Sequence, residues 1–177
     1  SHVLVMDFLG KDGWCAERLK EVTLSPEQTI DCYVTICVDV RRMYHECNLV
    51  HGDLSEYNLL WHEGRAKIID VSQSVEHAHP YASDFLKKDL SNVTDFFRKR
   101  GMQVLSKYNL FHFVTVVSFS NNKKDSDDVY NPDEEFMRST LMEMLVDAEN
   151  EAADEEEKNE AAEKEAQENW DEMDRGE

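Results

Sequence analysis

His51-Gly52-Asp53-Leu54-Ser55-Glu56-Tyr57-Asn58 is followed, twelve residues beyond Asn58, by the end of an apolar run, Ile68-Ile69-Asp70. This spacing sets two acids and one amide where phosphoryl transfer needs them. Asp53 is placed to orient a hydroxyl or a water and accept its proton. Asn58 and Asp70 are placed to hold Mg²⁺ against nucleotide phosphates, because hard cations take oxygen ligands. Between them, Leu59-Leu60-Trp61, a turn at His62-Glu63-Gly64-Arg65 and Ala66-Lys67-Ile68-Ile69 predict a β-hairpin whose second strand delivers Asp70. A hairpin is a rigid mount for side chains that need accurate placement.

Before this stretch, residues 2–6 read as a strand and residues 7–13 as a polar, glycine-containing connection. Ser25-Pro26-Glu27-Gln28 carries a helix start: a capping serine, proline at the first helical position and glutamine to close a capping box. Ile30, Tyr33, Val34, Cys37, Val40 and Tyr44 then recur at helical spacing, widened by Ile36, Val38 and Met43, which predicts a mostly buried helix. Beyond Asp70, Pro80 opens a second helical pattern with Phe85, Leu86, Leu90, Val93, Phe96 and Phe97 on one face. Gly101 closes it after Arg98-Lys99-Arg100. Residues 105–117 are apolar and begin as a helix, 118–133 read as a loop, and 136–146 form a short amphipathic helix running into an acidic tail.

Charge is unevenly spread. Residues 151–177 hold 13 Asp/Glu and 3 Lys/Arg, a net of −10, which is more than half of the chain's −19. Such a block cannot bury a core and reads as a solvated helix or a disordered tail. The acidic balance argues against a broad nucleic-acid footprint on this chain and is compatible with a basic protein partner. Cys15, Cys32, Cys37 and Cys47 form no CxxC pair and read as reduced core thiols of a cytosolic or nuclear protein, ahead of metal ligands or disulfides. The most apolar helix is broken by Asp39 and Arg41-Arg42, so it is not membrane-spanning. Ser1 opens directly onto the apolar strand, as expected of a piece of a longer protein.

LVHGDLSEYNLL, followed by IIDVSQSVEHAHPYASDFLKKDLSNVTDFF, resembles the RIO family of atypical serine/threonine kinases, and its RIO-one subfamily in particular. HVLVMDFLGKDG resembles that family's hinge between lobes, and NLFHFVT a later helix. The likeness covers roughly residues 2–115, and its most specific part is Ile-Asp-Val-Ser-Gln-Ser in place of the usual Asp-Phe-Gly. The resemblance implies an α+β, protein-kinase-like C-terminal lobe, mainly helical, with a small hairpin carrying the catalytic and metal loops and with the N-terminal lobe absent. Residues 1–117 would be hinge and lobe, 118–150 a loop and terminal helix, and 151–177 the tail.

Residue by residue, it makes Asp53 the catalytic aspartate, Asn58 and Asp70 the Mg²⁺ ligands, and Asp70 also the acceptor of a phosphoryl group in an ATPase cycle. Met6 would be the gatekeeper, the Asp7 carbonyl and Leu9 amide would meet the adenine edge of ATP, and Ser55 and Glu56 would shape the approach to its phosphates. It implies late maturation of the small ribosomal subunit as the process. The partners would be the pre-ribosomal particle and its assembly factors, with RNA contact through the full-length protein. The setting would be cytoplasmic, with shuttling to the nucleus.

Gly52 stands where the subfamily more often has Ala, a mild departure. The phosphate-covering loop, strand lysine and helix glutamate of a kinase do not occur in these residues, so the chain alone is expected to bind ATP weakly and to be inactive. No Ala-Pro-Glu follows Asp70, which makes broad peptide docking through an activation segment unlike this chain. Two other readings compete: a small-molecule phosphotransferase of the aminoglycoside or choline kinase type, against which Ser55-Glu56-Tyr57 and VSQSVEHAHP speak, and a non-catalytic assembly module, against which the intact Asp53, Asn58 and Asp70 speak. His51 reads as a brace for the loop, and Arg98-Lys99-Arg100 as solvated helix-end basic residues before it reads as an RNA contact.

Overall fold

The structure, a computed structural model, describes residues 3, 5–116 and 133–174. It is α+β. Its centre is helix α1, Pro26–His45, which carries all the parts expected at its start. The Ser25 hydroxyl accepts from the Gln28 amide at 3.2 Å, and the Gln28 side chain accepts from the Ser25 amide at 3.0 Å. Seven consecutive residues, Cys32 to Val38, are buried, so neighbours surround this helix on nearly all sides. Cys32 and Cys37 are core thiols as expected, but Cys15 and Cys47, on a two-residue strand and just past the end of α1, are exposed. Tyr33 meets Phe97 edge-on at 5.2 Å, joining α1 to α2, Ala82–Lys99. Arg41, also buried, donates to the Phe113 and Val116 carbonyls and so closes the C-terminal end of α3, Lys107–Thr115.

The strands are short. β1, Gly10–Lys11, and β2, Trp14–Cys15, form a hairpin; β3, Glu17–Arg18, pairs with β5, Leu59–His62, which pairs with β6, Arg65–Ile68; β4, Leu49–Val50, pairs with β7, Val75–Glu76. The β5–β6 turn is the expected one. Glu63 and Gly64 both take positive φ, 52° and 76°, the geometry that matches strand twist in a two-residue hairpin.

Four differences from the sequence reading have physical causes. Of the strand expected over 2–6, the described residues 3, 5 and 6 pair with nothing, and Val3, Val5 and Met6 are exposed; an isolated strand leaves its backbone groups unpaired and does not form a ladder. The connection over 7–13 contains the β1–β2 hairpin, turned by Asp12 and Gly13 at φ 53° and 84°. Helix α2 starts at Ala82, two residues beyond Pro80, with Tyr81 in the N-cap position but making no side-chain capping bond. It ends as expected, with Gly101 at φ 80° and amides of Gly101 and Met102 bonding back to the Arg98 and Phe97 carbonyls.

The last helix, α4, runs Glu134–Asp174, much longer than 136–146, and passes residue 150 without a break. Its first turns dock through buried Met137, Leu141 and Leu145. The docking is framed by ion pairs: Arg138 with Asp31, Glu134 with Arg65 (3.1 Å) and Arg42 (3.6 Å), and Arg65 with Asp39 (3.5 Å). Described side chains from Glu149 to Glu155 are exposed, as a solvated acidic helix requires. The loop expected over 118–133 and the boundary at 117 lie almost wholly outside the described residues. Among the described residues no helix is long and apolar enough to cross a membrane.

Candidate active site

The β4–β7 pair, Val50 opposite Val75, brackets the whole HGDLSEYN-to-IIDVSQS stretch. Within it, β5 begins directly after Asn58 and β6 ends two residues before Asp70. The Ile69 amide donates to the Asn58 carbonyl at 3.0 Å, tying the two ends of the hairpin together at the site. His51, 3% exposed, braces both halves. Its Nε2 donates to the Ile69 carbonyl (3.0 Å), its Nδ1 accepts from the Asp53 amide (3.4 Å), and its carbonyl accepts from the Ser74 hydroxyl (3.2 Å). These bonds put the ring proton on Nε2.

Asp53 and Asn58 are brought together. Asn58 Nδ2 donates to the Asp53 carbonyl at 2.9 Å and to its carboxylate at 3.4 Å. With the amide nitrogen engaged there, the Asn58 carbonyl oxygen is the end left to face a cation. Asp70 is exposed and sits at φ 64°, ψ 71°, a left-handed conformation uncommon for a residue other than glycine. This turn points the chain out of β6 into the short 3₁₀ turn Val71–Gln73. Asp70 Oδ1 accepts from the Ser72 amide (3.3 Å), and Ser72 holds the Asp70 carboxyl below the usual carboxylate range. The Asp70 carboxylate is thus tethered to Ser72 while remaining exposed.

Oxygen donors from one amide and one carboxylate fit Mg²⁺, which takes one or two protein oxygens and completes its shell with phosphates and water. Among the described residues no three His, Cys, Asp or Glu side chains converge as a self-sufficient metal cage.

The remaining expected residues lie differently. Ser55 and Asn58 close a turn, its carbonyl accepting the Asn58 amide at 3.0 Å. Glu56 faces a cleft against α2, with Lys20, Asn92 and Phe96. Met6 and Asp7 are exposed, in a segment without regular structure, and the Leu9 carbonyl accepts from Ala16 at the base of the first hairpin.

Asp89 escaped the sequence reading. It lies on the buried face of α2, 1% exposed, and its two oxygens accept the amides of Gly52 and Leu54, each at 2.8 Å. Burial raises its carboxyl above the ordinary range, and the two amide bonds oppose that shift. Next to it Asn92 donates to the Leu54 carbonyl at 2.9 Å. The signal was an acid three residues after Leu86 and four before Val93, on an otherwise apolar stripe. The glycine at position 52 is also less neutral than it looked. It takes φ 80°, and a Cβ there would come within 2.6 Å of the Gln73 carbonyl oxygen.

The RIO domain family matches residues 1–110. The chain is 52% identical over 125 residues to the serine/threonine-protein kinase RIO1 of Caenorhabditis elegans, 71% of this chain and 25% of that protein. It is 49% identical over 126 residues to the human RIO1 kinase, 71% of this chain and 22% of that protein. The human RIO3 kinase is 47% identical over 126 residues, 70% of this chain and 24% of that protein. The chain thus spans about a quarter of the length of these relatives. A crystal structure of the Rio2 kinase–ADP/Mg²⁺–phosphoaspartate complex from Chaetomium thermophilum aligns with a TM-score of 0.42 and 22% identity, covering 71% of this chain and 33% of that one. On the family match and the identities to RIO1 kinases, this chain belongs to the RIO family of atypical serine/threonine kinases, in its RIO1 subfamily.

Proposed function

We propose that this chain supplies the catalytic and metal loops, as the C-terminal lobe, of an ATP-dependent RIO-type serine/threonine kinase or ATPase. The observation that carries the reading is the Asp53–Asn58 pair, held at 2.9 and 3.4 Å beside a hairpin that returns Asp70 to the same end. Bound Mg²⁺ would neutralise phosphate charge as it develops. Asn58 would offer its side-chain carbonyl oxygen and Asp70 its carboxylate to that cation. Asp53, exposed and oriented through Asn58, accepts the proton of an incoming hydroxyl. By likeness to RIO kinases, Asp70 would also take a phosphoryl group itself, which would make the protein cycle as an ATPase.

Two protein ligands are half of an electrostatic clamp, and the chain covers about a quarter of its relatives' length. On its own it therefore binds Mg-ATP weakly and does not turn over. The process would be late cytoplasmic maturation of the small ribosomal subunit, with the pre-ribosomal particle as partner. Calorimetric titration of these 177 residues with Mg-ATP, beside ATPase and autophosphorylation assays of the full-length protein, tests the reading. Weak binding by the chain and Asp53-dependent turnover by the full-length protein are expected. Phosphorylation of small alcohols in place of either activity would overturn it.

A further inference from the structure

One cleft, of about 380 Å³, lies beside the catalytic loop and is separate from the metal seat. Lys20, Glu56, Asn92, Asp95, Phe96, Lys99 and Arg100 line it, whereas Asp53, Asn58 and Asp70 do not. Its wall toward the loop is Glu56, three residues after Asp53 and next to Tyr57. Lys20 Nζ stands 4.3 Å over the Tyr57 ring. Its opposite wall is the last two turns of α2.

The charge of this cleft runs against the rest of the molecule. Three cations face two carboxylates, in a chain with net charge −19. Asp95 is engaged by Arg98 at 2.9 Å and by Lys107 at 3.6 Å, neither of them lining the cleft. Arg100 is fixed in place. Its guanidinium donates to the Leu19, Lys20 and Val22 carbonyls at 3.0, 3.0 and 3.1 Å and lies 4.5 Å over Phe96. Those carbonyls are neutral, so its charge is not cancelled. Lys20 and Lys99 have no carboxylate partner among the described residues. Glu56 is the one carboxylate in the cleft without a cation partner among the described residues. The arrangement is a fixed guanidinium on an aromatic floor with two ammonium groups at the rim, which is the chemistry that recognises an anionic side chain.

We propose that this cleft is a substrate-specificity subsite that takes an acidic side chain, a carboxylate or a phosphoserine, from the protein segment whose hydroxyl is presented to Asp53. The proposal rests on the phosphoryl-transfer reading for its location, and it is tested by binding, which does not depend on turnover. The probe is a fluorescein-labelled serine peptide flanked by aspartates, titrated against the chain beside its phosphoserine and alanine counterparts. The acidic peptides should bind about tenfold tighter than the alanine peptide, a preference that shrinks as salt is added.

Lys20→Gln with Lys99→Gln should remove that preference and leave the alanine peptide unaffected. Glu56→Gln should strengthen acidic-peptide binding, a gain that loss of structure could not produce. Lys99 is exposed, so Lys99→Glu provides a variant whose fold is safe, and it should reverse the preference. Equal binding of acidic and alanine peptides would overturn the proposal, as would a single-stranded oligonucleotide of matched charge binding tighter than either acidic peptide. Tight acidic-peptide binding combined with no ATP turnover by the full-length protein would keep the subsite and sink the catalytic reading instead.

Discussion

The carboxylate of Asp89 accepts the amide hydrogen of Leu54 at 2.8 Å, across thirty-five residues of chain, and takes the Gly52 amide with its other oxygen. A buried acid on α2 therefore sets the backbone on both sides of Asp53. Asp89→Ala leaves two donors without a partner, one of them fully buried, and should cost about 3 kcal/mol in denaturant unfolding. Asp89→Asn keeps one acceptor oxygen and should cost about half as much. A loss below about 0.5 kcal/mol for Asp89→Ala would show that the loop is held by other contacts.

Asp53→Asn in the full-length protein should lower kcat by about a hundredfold or more while leaving nucleotide affinity close to wild type, because a proton acceptor is lost and a polar group of the same shape is kept. Asn58→Ala and Asp70→Ala should instead raise the Mg²⁺ concentration needed for half-maximal nucleotide binding by about tenfold or more. Titrations of Mg²⁺ at fixed ATP separate these two classes of effect. If Asp53→Asn shifted the Mg²⁺ dependence as strongly as Asp70→Ala does, the division of roles would be wrong.

Acid should loosen the packing of α1 against α3 through His45. Burial, then the Arg41 charge, holds its ring below the ordinary histidine pKa of 6.5, and its Nε2 donates to the Val114 carbonyl at 2.9 Å. Above 6.5 the ring is neutral in both folded and unfolded chains, and the contact contributes in full. As pH falls below 6.5 toward the lowered folded value, the unfolded chain takes up the proton first, so stability is lost across that window. Thermal melts between about pH 7 and pH 5 should show this slope, and His45→Gln should flatten it relative to wild type.

Docking of α4 should depend on its apolar anchors and not on its charges. Leu141 is 0% exposed, and Leu141→Ala should cost about 2–4 kcal/mol. Glu151→Ala and Glu155→Ala, on the exposed part of the helix, should stay within about 0.5 kcal/mol. Glu134→Gln removes one member of a half-exposed ion-pair group and should cost about 1 kcal/mol or less, fading in high salt. Equal effects of Leu141→Ala and Glu134→Gln would reverse this ranking.

What could be read from the sequence was local. Ser25-Pro26-Gln28 carries its own cap, and Glu63-Gly64 carries its own turn, so the start of α1 and the β5–β6 hairpin were legible. Composition marks the acidic tail but sets no end point for a helix of good helix formers, and α4 proved longer than its amphipathic part. Asp12-Gly13 carries the same turn chemistry as Glu63-Gly64, yet its flanking strands are two residues each, too short for an alternating pattern. Asp89 shows in the sequence only as an acid on an apolar stripe, with nothing to name what it binds. Its partners are main-chain amides, which leave no trace in the side-chain pattern, and they lie far away along the chain. The same holds for Arg100, which grips three carbonyls from the turn at residues 19–22 while reading as a solvated helix-end cation.

Because Val50 pairs with Val75, and Ile69 with Asn58, the segment carrying Asp53, Asn58 and Asp70 is pinned at its neck and again at its waist. The backbone that carries the three residues is held at both fastenings. Amide exchange at Ile69 and Val75 should then follow a single shared opening, slow and all-or-none. Such a segment behaves as an anvil. If the proposed phosphoryl transfer holds, nucleotide and hydroxyl are brought to a surface that does not rearrange to meet them.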